Sequence, residues 1–162
     1  MELEVDVSGE DLLSKDYTVC IASKDEIIRG FKFNEELINI LSSRYGQGFY
    51  KYPKSKNGKA LFKVRVYSVV IYYLVKSLKI SGDISLNLCR DFDGREEEIK
   101  KNLLFFIEKI LGLSIRDKIY FRKLEKDSNA HKYAYLMRHD NKNKLDTYIT
   151  ISLEEIEKWI KK

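Results

Sequence analysis

Proline is nearly missing from this chain, which has one proline and only eight glycines in 162 residues. Neither a polyproline spacer nor a long flexible linker can be built from that supply, and no internal repeat or low-complexity stretch appears. The length and this composition lead us to expect one domain over 1–162. Long hydrophobic runs are also absent. The longest, VVIYYLV at 69–75, is far too short to span a bilayer, so no membrane partner is expected. Cysteine occurs twice, at Cys20 and Cys89, with no metal-ligand spacing and no disulfide framework. Each sits in an apolar run, where a free thiol behaves as a small hydrophobe. The N-terminus reads MELEVDV, acidic and alternating rather than signal-like, and the expected setting is the cytoplasm. There is no Gly-rich phosphate loop, no Ser/His/Asp pattern and no Cys/His cluster.

Negative charge is the most informative shortage. Between Glu36 and Asp83 there is no carboxylate, but there are nine basic residues: Arg44, Lys51, Lys54, Lys56, Lys59, Lys63, Arg65, Lys76 and Lys79. The remaining 21 basic residues face 25 acidic ones, so the chain outside this stretch carries −4 although the whole carries +5. A local field of one sign gathers phosphates and speeds association. Within FYKYPKSKNGK, Phe49, Tyr50 and Tyr52 sit beside Lys51, Lys54 and Lys56. Cations for a backbone and rings for bases are the equipment of a nucleic-acid surface. Arg44, Tyr50, Lys51, Tyr52, Lys54, Lys56, Lys59 and Lys63 are therefore candidate nucleic-acid-binding residues, carried on a basic loop at 44–65.

Residues 2–8 alternate strictly, with Leu3, Val5 and Val7 on one face and Glu4, Asp6 and Ser8 on the other, the pattern of a half-buried strand. Runs 17–23 and 26–33 read as a hairpin joined through Lys24-Asp25, with Gly30 as a possible bulge. Asn34 caps a helix carrying Leu37, Ile38 and Leu41, which the pair Gly46 and Gly48 ends. A second helix is expected over 61–78, a strand over 83–91 and a helix from Asp93, in a capping-box pattern, to Leu111, with Ile99, Leu103, Phe106, Ile107 and Ile110 as its core stripe. Then come a strand at 118–124, a helix at 129–140, an extended stretch at 147–151 and a helix capped by Ser152. This order gives an α/β (α+β mixed) fold in which helices pack on a mixed five-stranded sheet.

Three antiparallel strands followed by helix, strand, helix, strand, helix resembles the ribonuclease H-like superfamily over residues 2–140. The resemblance rests on element order and on two placed acids. Asp6 lies midway along the first strand in VDVSG, and Asp91 and Asp93 lie in CRDFDG at the end of the fourth. It implies that Asp6 and Asp91 are metal ligands for Mg²⁺ or Mn²⁺ and that Asp93 or Asp127 completes a catalytic set for phosphodiester cleavage. The segment KDSNAHKYAYL is similar to the helix that carries a further family acid, but Asn129 stands at that position and Asp127 two residues before it. A metal-free nucleic-acid-binding module is therefore the alternative to a nuclease. A third reading is a protein-interaction subunit using Tyr67, Tyr72 and Tyr73. His131 and His139 are read as surface or partly buried side chains, and His139-Asp140 as a conceivable proton shuttle.

Overall fold

The alternating N-terminal run forms β1 (Glu2–Ser8), as its pattern implies, and the two β-rich runs form β2 (Thr18–Ala22) and β3 (Ile28–Lys32). This computed structural model describes all residues, 1–162. The elements continue as α1 (Glu35–Gly46), α2 (Lys56–Ser77), β4 (Ser85–Leu88), α3 (Glu96–Leu103), β5 (Ile119–Phe121), α4 (Asn129–Arg138) and α5 (Leu153–Glu157). The strand order is β3-β2-β1-β4-β5. β1 is antiparallel to β2 and parallel to β4, and β5 extends the sheet in parallel with β4. The expected mixed five-stranded sheet is thus present, with β1 between the hairpin and the fourth strand.

Each sheet face is covered differently. Leu3, Val5, Val19, Ile21, Leu86 and Leu88 join one continuous core with α1, α2, α3 and α5. The opposite face of β1, β2 and β3 is covered by α4, whose Ala130, Ala134 and Met137 are buried on Cys20 and Ala22. Gly30 permits this approach. A methyl group there would stand 2.4 Å from the Met137 sulfur. The register Cys20↔Gly30 is unbroken, so Gly30 is no bulge. Its N–H donates to the Thr147 carbonyl at 2.8 Å and its own carbonyl accepts from Ile149 N–H at 2.9 Å. The extended stretch at 147–149 thereby covers the open edge of β3, which would otherwise invite pairing with another chain.

Several boundaries differ from the sequence expectation for local reasons. The β2–β3 turn has three residues rather than two. Ser23 N–H donates to the Ile27 carbonyl, and Glu26 adopts a left-handed φ of 86°, the geometry of a type I turn followed by a bulge. The second helix begins at Lys56, five residues early, because Ser55 caps it by accepting from Gly58 N–H. Lys56 and Lys59 therefore lie on a helix, not on a loop. Asp93 is not the cap of α3, where Arg95 takes the boundary with no side-chain bond. Beyond Leu103 the helix widens into π-helical winding over Leu104–Ile110, with Leu111 N–H donating to the Phe106 carbonyl. That change of pitch turns Ile110, expected in the core stripe, out to 43% exposure. The tyrosines Tyr67, Tyr72 and Tyr73 are all buried in the core, so the surface patch expected from them does not exist. No helix is long and apolar enough to cross a membrane.

Candidate functional site

In the strand order β3-β2-β1-β4-β5, the chain leaves β1 toward one side of the sheet and β4 toward the other. Such a switch point opens a crevice at the carboxyl ends of its two parallel strands. Asp6 on β1 and Asp91 just past β4 both lie toward that end of the sheet, near enough for the Asp6 charge to act on the Asp91 carboxyl. Asp6 faces α4 and is 7% exposed, not out in solvent, because the helix packs over its side of β1. One of its oxygens accepts Val7 N–H at 2.8 Å, and the other lies 2.7 Å from His131 Nδ1. Asp91 sits three residues past the end of β4 and accepts a hydrogen bond from the Tyr17 hydroxyl.

The crevice concentrates negative charge. Partial burial raises the Asp91 carboxyl above its ordinary value and Asp6, Asp11 and Asp93 raise it further, against the Tyr17 bond that lowers it. Burial, then Asp91, pushes the Tyr17 phenol far up. The Cys89 thiol, beside Asp6, is likewise raised by burial and by both acids. Cys20, behind Asp6, is pushed up to about 12 by burial and by Asp6. Both cysteines are therefore protonated, inert thiols near neutral pH. Lys63 reaches the rim, where its ammonium pairs with Asp11 at 2.9 Å. The Tyr67 hydroxyl, buried near Cys89 and Tyr17, has no hydrogen-bond partner.

The expected acids do not all meet. Asp93 is exposed close to Asp91, but Asp127 lines a separate polar cleft of about 510 Å³ with Glu2, Glu4, Ser23, Asn87 and Asn129. Asn129 donates to the Ser23 carbonyl at 3.2 Å and so turns toward that cleft. Both Asp6 oxygens and one Asp91 oxygen already accept hydrogen bonds from the protein. Carboxylate oxygens are the ligands Mg²⁺ prefers, and an ion held between Asp6 and Asp91 would share these oxygens with Val7, His131 and Tyr17 or displace those partners. His131 is the participant that sequence spacing missed. Nothing in its own neighbourhood signals the role, which depends on α4 crossing β1. His139 bonds the Tyr135 carbonyl and Asp140 caps the 140–145 turn, so these two remain local.

The basic residues divide by environment. Arg44 donates to both oxygens of the buried Glu157 at 2.7 Å, and Arg65 donates to the Trp159 carbonyl and to Asn102. Burial pushes the Glu157 carboxyl up, but Arg44, the Tyr50 hydroxyl and Lys161 together hold it below its ordinary value. Tyr50 is 1% exposed, with its ring stacked on Phe62 and its hydroxyl on Glu157. It belongs to the core and offers no ring to a base. Tyr52 is half-buried, also against Phe62. Lys51, Lys54, Lys56 and Lys59 are exposed, and none of them enters an ion pair. A cavity of about 630 Å³ between α1, β3 and the 148–153 segment contains none of the residues expected to act. No family model matches the chain, and no curated protein matches it.

Proposed function

We propose that this protein binds nucleic acid through the surface built from Lys51, Lys54, Lys56 and Lys59. One observation carries the reading: these four cations crowd the start of α2 unpaired, while Arg44, Lys63 and Arg65 are engaged by the protein itself. Lys76 stands twenty residues further along α2, about 30 Å away, and cannot share the same contact. The first turn of α2 carries no acid, so its positive dipole end adds to the lysines. The strand order and the acids at the β1/β4 crevice support the ribonuclease H-like resemblance. Because those acids are engaged by His131, Val7 and Tyr17, binding without cleavage is the reading we favour.

Fluorescence anisotropy with labelled oligonucleotides at several salt concentrations tests it. Replacing the four lysines together by alanine should weaken binding by orders of magnitude and flatten the salt slope by about 3, at about 0.7 per phosphate contact on a single strand. Affinity unchanged by the four substitutions would refute the reading. Cleavage of any substrate that requires Mg²⁺ or Mn²⁺ and is lost in Asp6→Asn would instead establish the nuclease that the resemblance implies.

A further inference from the structure

Tyr50 is buried, but the residue before it is not. Gly48 takes a left-handed φ of 79° at the end of α1, and Phe49 N–H then donates to the Arg44 carbonyl at 3.0 Å. The isolated antiparallel bridge between Tyr50 and Lys161 turns Tyr50 inward. In extended chain, successive side chains alternate, so the residues on either side of it face outward. Phe49 is accordingly 56% exposed, the one aromatic ring of the basic segment that solvent reaches freely. It lies in a cleft of about 350 Å³ with Arg44, Glu157, Lys161 and Lys162. Arg44 and Tyr50 already engage the Glu157 carboxylate, and Lys161 stands 3.6 Å from it, so the net charge around the ring is positive.

Resting on the nucleic-acid reading above, we propose that the partner is a single strand, one of whose bases stacks on Phe49 while Lys162 and the unpaired lysines of the basic segment hold its phosphates. In a duplex the bases are already stacked on one another, so an isolated exposed ring amid cations favours an unpaired base. Hydrogen-bond readout has no part in this contact, so sequence preference should be weak.

The test compares a single-stranded 20-mer, in DNA and in RNA, with the matching duplex, for the wild type, Phe49→Ala and Phe49→Trp. The expected result is tighter binding of the single strand. Phe49→Ala should cost about 5- to 150-fold with an unchanged salt slope, and Phe49→Trp should restore the affinity. Phe49 is exposed, so unfolding does not confound the alanine variant. Wild-type affinity of Phe49→Ala for the single strand, with the four-lysine variant still weakened, would overturn the inference and leave the binding surface standing. Equal affinity for duplex and single strand would overturn it as well. No binding by the wild type to any of these oligonucleotides would overturn the nucleic-acid reading itself.

Discussion

Gly58 sits in the third position of α2, and two physical arguments give opposite signs for Gly58→Ala. Helix propensity alone favours alanine by about 1 kcal/mol. The structure forbids it, because an added methyl would lie 2.1 Å from the Pro53 carbonyl oxygen and 2.7 Å from the Pro53 ring. Relieving that contact requires backbone movement of about 1 Å, since neither partner is a flexible side-chain tip. The same carbonyl accepts a hydrogen bond from the Tyr45 hydroxyl at 2.7 Å, and the buried Tyr45 ring stacks on Phe62 at 4.8 Å. Movement of Pro53 therefore strains the aromatic core under the basic surface. Overpacking of this kind costs about 1–3 kcal/mol, and we expect a net loss in that range, lowering the midpoint of thermal unfolding by about 2–12 °C. Gly46→Ala is the internal control. It ends α1 with nothing within 4 Å of the added methyl, and it should gain about 0.5–1 kcal/mol. Urea unfolding followed by far-UV circular dichroism and by the fluorescence of Trp159 measures both. Gly58→Ala at or above wild-type stability, or Gly46→Ala equally damaging, would refute the reasoning. Adding Pro53→Ala to Gly58→Ala should not rescue it, because the obstructing atom is a backbone oxygen.

Glu157→Ala should cost about 1–3 kcal/mol, since it strands the buried Tyr50 hydroxyl without its acceptor. Its carboxyl is held below its ordinary value of 4.5, so the stability it contributes is complete above that pH and drains away as the pH falls through the folded-state value. Glu157→Gln should therefore flatten the acid limb of a stability-versus-pH curve below about 4.5; an unaltered limb would count against the pairing. Asp91 has the opposite sign. Its carboxyl is raised above 3.8, so its ionisation weakens the fold as the pH rises through the raised value. Asp91→Asn should consequently be slightly more stable than the wild type at pH 7, and a loss of stability there would remove the case for charge crowding in the crevice.

The chain's elements were legible because their signals are local. Strict alternation at 2–8, the caps at Asn34 and Ser152 and the left-handed glycine stop at Gly48 all act within a few residues of themselves. Element order then restricted the sheet, and β1 came to lie between the hairpin and β4 as expected. The errors arose where a local signal was overruled. Asp93 carried a capping pattern, yet the boundary formed at Arg95, and the stripe ending at Ile110 assumed an α-helical pitch that the π-helical turns do not keep.

The sequence by itself determined where the cations are concentrated and which residues are paired off in alternating strands, since charge and periodicity are written along the chain. It did not determine which members of the basic stretch are free. Arg44 is engaged by a carboxylate 113 positions away, and Tyr50 is drawn inward by the same Glu157, leaving Phe49 as the exposed ring. It did not determine that Asp6 would be covered and bonded to His131, 125 residues distant, because only the passage of α4 across β1 brings them together. Burial and pairing are properties of contacts between segments remote in sequence, and tertiary packing alone decides them.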